Sequence, residues 1–219
     1  MKDALLLLSG GMDSGVLLAV SRPNYHHVIC MGFDYGSKHS QRELAMAQRL
    51  ASVYDASFVR IKLPFIDELF SSSLLRSGDD IPDGPYTDGS IASSVVPFRN
   101  GIMLSIGVGY AENNGIDTVL IASHAGDHPV YPDCSEAFTS AMSRAAGYGT
   151  FNHVSVSAPF SSIDKKDIAQ KGRAAGFDFG LTWSCYKGLD IHCGTCATCL
   201  ERKAALEYDK GLDPTRYMK

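Results

Sequence analysis

The stretch that most limits the architecture lies at the start of the chain. An apolar run, Ala4–Leu8, leads straight into Ser9-Gly10-Gly11-Met12-Asp13-Ser14 and then into a second apolar run, Gly15–Val20. A short continuous apolar run that stops at glycines reads as a strand buried on both faces, and the run beyond the turn reads as a helix. In sheets of this kind the carboxyl edge of the strand opens on the crevice where ligands bind. Glycines at that edge let the backbone turn sharply and approach a phosphate closely. The amides and positive end of the following helix then hold the anion. Ser9 and Ser14 can add hydroxyl donors. Asp13 can cap the helix or help organise a magnesium ion beside the phosphates. The plain alternative is a strand, a turn and a capped helix with no ligand. The position of the whole string between strand and helix favours the phosphate reading. A Walker A loop is excluded, because no Gly-Lys-Ser/Thr follows.

The rest of the chain repeats the alternation. Val28–Phe33, Ser57–Leu63, Thr118–Ala122 and Val154–Ala158 read as further strands. Gln41–Tyr54 places Leu44, Ala47, Ala51 and Tyr54 on one helical face. Asn100–Asn113 is apolar nearly all round, as expected of a buried or interface helix. Asp164–Ala175 opens on an acidic N-cap and stops before Gly176. The pattern predicts an α/β, doubly wound, mainly parallel five-stranded sheet of Rossmann type. Two regions break the rhythm. Residues 71–97 are rich in Ser, Gly, Asp and Pro and read as a functional or partly disordered loop. From Thr182 onward the chain carries clustered cysteines and then a short helical stretch, Leu200–Tyr208. The division expected is an adenine-nucleotide-binding domain over residues 1–181 and a metal-binding module over 182–219.

The formal charge of −4 removes the basic footprint that a nucleic-acid partner requires. The apolar run at the N-terminus is too short for a signal peptide. No stretch reads as the roughly 20 apolar residues of a membrane span. The expected setting is the cytoplasm.

Six cysteines are present, and Cys185, Cys193, Cys196 and Cys199 are clustered. In a cytosolic chain such a cluster points to metal rather than disulfides. Four thiolates satisfy a closed tetrahedral zinc site, with no position left for water, so the zinc is expected to be structural. Free buried thiols, His192 in place of Cys193, and a redox role for Cys193-Gly-Thr-Cys196 are the alternatives. Cys30 reads as a packing residue in its strand, and Cys134 as a small core residue rather than a ligand contact.

The SGGMDS string after a strand resembles the loop of the pyrophosphate-loop ATP pyrophosphatases, which cleave ATP between the α and β phosphates. Further strings narrow the resemblance. They are Phe33-Asp-Tyr35-Gly with His39, Val96-Pro-Phe98-Arg99-Asn100, Tyr131-Pro-Asp133-Cys134, Thr182-Trp-Ser-Cys185-Tyr186 and Cys193-Gly-Thr-Cys196-Ala-Thr-Cys199. In this order, over nearly the whole chain, they resemble the 7-cyano-7-deazaguanine synthases, the QueC family. The resemblance implies an ATP-dependent ligase. It would convert 7-carboxy-7-deazaguanine and ammonia to the nitrile through adenylated acid and amide, for queuosine or a related deazapurine.

The resemblance also implies roles. Leu8, Ser9, Gly10, Gly11, Met12, Asp13 and Ser14 would hold ATP, with Phe33 and Tyr35 framing the adenosine. Asp13, Arg99 and Lys165 would be catalytic, and Arg99, Asn100, Tyr131 and Asp133 would contact the substrate. Structural zinc, magnesium and a homodimer are implied as well. From the residues alone, a surface ion pair for Arg99 and a solvated Lys165 stand as alternatives.

The chain departs from familiar members in three places. It has Phe98 where they carry glycine, Ser123–Val130 in place of a Glu-Thr-Asp-Phe-Ser-Gly string, and Ser135 where they usually carry arginine. These changes keep open an enzyme that stops at the amide or passes the acyl group to another amine. A tRNA-modifying pyrophosphatase and a zinc-ribbon interaction protein are more distant rivals. His124 and His128 read as loop residues suited to hydrogen bonding near the substrate, not as a metal pair.

Overall fold

The fold is taken from a computed structural model, which describes residues 2–126, 131–206 and 213–218. His128 and the helical end at Tyr208 lie outside the described residues. The sheet holds five strands, all parallel, in the order β3-β2-β1-β4-β5. They are β1 (Ala4–Leu7), β2 (Val28–Asp34), β3 (Ser57–Lys62), β4 (Thr118–Leu120) and β5 (Ser155–Ser157). The order reverses direction between β1 and β4, which is where a doubly wound sheet opens its ligand crevice.

The alternation of side chains along β1 divides the core in two. Leu5 and Leu7 face one layer, whereas Ala4, Leu6 and Leu8 face the other. The first layer is covered by α5 (Arg99–Asn113) and α6 (Glu136–Gly149), through Leu104, Ala111 and Ala146. The second is covered by α1 (Met12–Ser21), α2 (Ser40–Val53) and α7 (Lys165–Ala174), through Val16, Leu50 and Ile168. Cys30 is fully buried in this second layer and its thiol is pushed up to about 12 by burial, as a packing residue requires.

The 71–97 segment is more ordered than its composition implies. Two short helices flank and occupy it, α3 (Pro64–Leu69) and α4 (Asp88–Ser94). Thr87 caps α4 in a reciprocal capping box with Ser90. Lys38 donates to the carbonyls of Ser73 and Gly78, each at 2.9 Å, and so fastens the start of the segment to the sheet. Gly89–Asn113 has the length and hydropathy of a membrane span, which the sequence reading overlooked. It is interrupted at Val95–Phe98, and the α5 part packs Leu104 and Gly107 over the sheet.

The C-terminal segment shares the core of the sheet. Trp183 donates its amide to the Gly10 carbonyl at 2.9 Å. The helix α8 (Ala197–Leu206) packs on α7 and buries Ala205 and Leu206 in the second layer. Arg202, only 1% exposed, ties this segment to the preceding turn. Its guanidinium donates to Thr182 Oγ1 at 2.7 Å, Ser184 Oγ at 3.2 Å, the Phe179 carbonyl at 2.8 Å and Thr215 Oγ1 at 2.7 Å.

Candidate active site

A cavity of about 240 Å³ opens at the carboxyl edge of the sheet, over the point where the strand order reverses. One end is the glycine turn. Gly10 has φ +88°, and a Cβ there would stand 2.1 Å from the Glu43 carbonyl oxygen, so only glycine lets the turn nest against α2. Gly11 is the N-cap of α1 and makes no side-chain cap, which leaves the first-turn amides available to an anion. Ser9 Oγ accepts from the Gly11 amide at 3.1 Å and lies 3.0 Å from Ser14 Oγ. These hydroxyls hold the turn in shape and line the cavity with Leu8, Gly11, Met12 and Asp13.

Asp13 does not cap α1. It sits one residue inside the helix with its carboxylate at the cavity wall. Its Oδ2 lies 3.7 Å from Lys165 Nζ and 3.8 Å from His124 Nε2. Its Oδ1 is buried with no hydrogen-bond partner. A buried carboxylate oxygen left in that state suits a hard divalent cation shared with bound phosphates. Lys165 is the first residue of α7, whose N-cap is Asp164 with a capping box to Asp167. Its ammonium reaches Glu201 Oε2 of α8 at 2.7 Å, so it belongs to the cavity and not to bulk solvent.

The other end is built by α5, the end of β2 and the segment before α6. Arg99 lines the cavity and donates from Nη1 to the Tyr35 hydroxyl at 3.2 Å. No carboxylate pairs with it at ion-pair distance among the described residues, which corrects the surface ion pair. The Asn100 amide donates to Asp133 Oδ2 at 2.8 Å, and its side chain reaches Cys134 Sγ at 3.1 Å. Asp133 therefore caps α5 from outside and does not line the cavity, whereas Cys134 and Tyr131 do. Cys134 is buried, as the core reading expects, and it also lines the cavity. Tyr86 reaches in from the 71–97 segment, with its hydroxyl 3.5 Å from that of Tyr131.

Several wall residues were not singled out in the sequence. Glu43 and Glu201 are single acids on otherwise ordinary helices, and Tyr86 lies in a stretch with no periodicity. His39 was noted only within its string. It is 1% exposed, its Nδ1 lies 3.1 Å from the Tyr186 carbonyl, and its Nε2 lies 3.6 Å from Glu43 Oε2. Burial pushes His39 down to about 4 and Glu43 up to about 8.

The four cysteines Cys185, Cys193, Cys196 and Cys199 are all buried, with sulfurs within 4.8 Å of one another. Tetrahedral Zn–S bonds place sulfurs ~3.8 Å apart, and Cys193 and Cys199 already stand at 3.9 Å. The amides of Thr195 and Cys196 point at Cys193 Sγ at 3.4 and 3.3 Å, while Gly194 turns at φ +76°. Such a knuckle stabilises a thiolate. His192 is not part of the set. Its Nε2 accepts from the Ser184 amide at 3.1 Å and its ring lies against Trp183.

Residues 3–210 match the sequence profile of the family described as "Queuosine biosynthesis protein QueC". The chain belongs to the QueC family. It is 51% identical to the 7-cyano-7-deazaguanine synthase of Desulfotalea psychrophila over 100% of both chains. It is 48% identical to the enzyme of the same name from Porphyromonas gingivalis, over 99% of this chain and 97% of that one. The fold of this QueC-family chain is shared with the NH3-dependent NAD synthetase of Campylobacter jejuni. That match has a TM-score of 0.51 and 16% identity, and covers 82% of this chain and 66% of the synthetase.

Proposed function

We propose that this QueC-family chain converts 7-carboxy-7-deazaguanine and ammonia to 7-cyano-7-deazaguanine, with two ATP cleaved to AMP and pyrophosphate. The observation that carries the reading is the single cavity joining an uncapped helix N-terminus, with Asp13 and Lys165 beside it, to the guanidinium of Arg99. Adenylation needs such a chamber, because the carboxylate must reach the α phosphate while both anions are neutralised. The full-length match to relatives named 7-cyano-7-deazaguanine synthase supports a deazaguanine substrate.

In this reading the Ser9–Ser14 turn holds the departing pyrophosphate, and Phe33 and Tyr35 frame the adenosine. Arg99 neutralises the substrate carboxylate and the acyl adenylate. Tyr131 and Asn100 contact the base, and Asp133 acts through Asn100. Magnesium held by Asp13 would screen phosphate charge. Zinc on the four cysteines would fold residues 182–219 against the nucleotide-binding part, residues 1–181, as a closed structural site. Free ammonia as nitrogen donor, a homodimer and a cytoplasmic setting belong to the same proposal.

Mass spectrometry of the purified protein with the carboxylate, ATP, magnesium and ammonium tests it. The amide rises first and then declines as the nitrile forms, with two AMP per nitrile. ADP and orthophosphate as products would overturn the mechanism, and an amide that persists without nitrile would move the assignment to an amide-forming enzyme.

A further inference from the structure

His39 and Glu43 form a pair that the roles above do not use. His39 is the N-cap residue of α2, and Glu43 follows one turn later on the same helix. The His39 Nδ1 faces the Tyr186 carbonyl at 3.1 Å. A carbonyl only accepts, so Nδ1 carries the ring hydrogen and Nε2 of the neutral ring is a bare acceptor. That nitrogen faces Glu43 Oε2 at 3.6 Å. Two acceptors turned toward each other in a buried place have room for one proton between them. The helix that carries them is held rigidly, because the Gly10 turn nests on the Glu43 backbone. Both side chains line the cavity that contains Arg99.

The other charged and titratable groups facing the pair are Arg99 from α5, Tyr35 from the end of β2, and Tyr186 and Cys196 from the C-terminal segment. Arg99 has no lone pair to offer, and burial holds Tyr35 and Tyr186 in their neutral forms. At the far end of the cavity, Asp13 and Glu201 are engaged with Lys165. The Gly126 amide donates to His124 Nδ1 at 3.1 Å, which occupies that ring's bare nitrogen. Asp13 Oδ1 is left to the divalent cation considered above, so the His39–Glu43 pair is an open proton acceptor on the Arg99 side of the cavity.

We infer that Glu43, backed by His39, takes the proton released by the nitrogen nucleophile when the acyl adenylate becomes the amide. This rests on the function proposed above. In that step the ammonia lone pair forms the C–N bond, and the C–O bond to the AMP phosphate breaks, with its electron pair leaving on AMP. The proton shed by nitrogen passes to the Glu43 carboxylate. Burial that places Glu43 near 8, with Arg99 pulling it back, poises it close to the operating pH, where a general base works best.

The test separates the two half-steps. With the carboxylate, ATP and magnesium, a pyrophosphate burst reports adenylation, and addition of ammonium at fixed free ammonia reports amide formation. Glu43→Gln is expected to slow the ammonia-dependent step by about a hundredfold, the lower range for loss of a general base, against a change of a few-fold at most in the burst. The wild-type rate should rise with pH and level near 8, and the variant should lose this rise, while Glu43→Asp keeps part of it. If Glu43→Gln fails to fold, His39→Gln is expected to slow the same step, because it removes the imidazole that backs Glu43. Equal slowing of burst and amide formation, or a variant that keeps the pH limb, would overturn the inference. A wild-type enzyme that gives no burst with the carboxylate would instead overturn the proposed function.

Discussion

Gly10 and Gly11 are adjacent, yet a methyl group added at each should fail in different ways. At Gly10 the new Cβ meets the Glu43 carbonyl oxygen at 2.1 Å and the Ala47 amide nitrogen at 2.9 Å, with φ at +88°. Both contacts are backbone atoms of α2, so neither can rotate away. The left-handed conformation costs an alanine ~1–2 kcal/mol, and overpacking adds ~1–3 kcal/mol. The lower entropy of the unfolded alanine chain returns ~0.4–1 kcal/mol. The net loss for Gly10→Ala is about 2–4 kcal/mol, or roughly 5–15 °C in Tm for a chain of this size. At Gly11 the Cβ meets only Ser9 Oγ at 3.2 Å and the Trp183 carbonyl at 3.6 Å, and φ is −77°. Gly11→Ala should therefore keep its stability within about 0.5 kcal/mol of wild type, the usual range of a tolerated substitution. Its methyl stands at the mouth of the anion site, so the KM for ATP should rise tenfold or more. Calorimetry and pyrophosphate release on both variants give the comparison. A Gly10→Ala protein as stable as wild type, or a Gly11→Ala protein with unchanged ATP kinetics, would refute this division of labour.

Four further outcomes follow from the geometry. Metal analysis should find about one zinc per chain, the closed four-thiolate stoichiometry, and Cys196→Ser or Cys199→Ser should lose both metal and solubility. Asp83 accepts from Lys187 at 2.6 Å and from Thr195 at 2.5 Å, and the Gly84 amide bonds the Thr195 carbonyl; Asp83→Ala should leave Tm unchanged but raise the KM for the carboxylate, because Tyr86 loses its anchor. Glu43 is raised by burial from 4.5 to about 8, so it stabilises the fold in its protonated form and that contribution is lost as pH rises between those values; Glu43→Gln should flatten the fall in Tm across this window. Phe98 sits at φ +53° with its ring 5.7 Å from that of Phe138; Phe98→Gly exchanges the aromatic pair for relief of strain, so it should be more stable than Phe98→Ala by about 1 kcal/mol, as thermal melts would show.

The five strands and the ends of α2, α5 and α7 were largely legible because they rest on local signals, whereas the strand order and α6 were not read. Buried parallel strands read as apolar runs, and Asp164 and Gly176 mark the α7 boundaries in the letters themselves. The turn at Ser9–Ser14 and the cysteine knuckle were legible for the same reason, since each is a short contiguous string. What escaped was whatever depends on distant partners. Nothing local tells that Asp133 turns to the Asn100 amide, or that Lys165 finds Glu201 across α7 and α8. Glu43 reads as the solvated side of an amphipathic helix until the fold brings Arg99 of α5 near it. The order within 71–97 was hidden because Lys38 and the capping box at Thr87 supply by hydrogen bonds what the composition lacks in apolar periodicity.

The departures from familiar family members bear on which reaction the site performs. Phe98 occupies a left-handed position where glycine is at ease, and it is 57% exposed, pointing away from the cavity. Its ring meets Phe138 edge to face. Phe138 is the third residue of α6, and its amide is capped at 3.2 Å by Ser135 Oγ, the residue that stands in place of the usual arginine. Phe98 and Ser135 are therefore parts of one packing unit that joins the starts of α5 and α6. None of Phe98, Ser135 and Phe138 lines the cavity, whereas Arg99, Asn100, Tyr131 and Cys134, which keep the family letters, all do. At Phe98 and Ser135 the difference lies behind the wall and alters support, whereas Ser123, which begins the third departure, itself lines the cavity. The aromatic pair offsets the strain that glycine would have avoided, and Ser135 supplies a helix cap that arginine cannot. Phe98 and Ser135 therefore leave the Arg99 side of the wall intact, and the choice between nitrile formation and transfer to another amine turns on the departure that begins at Ser123.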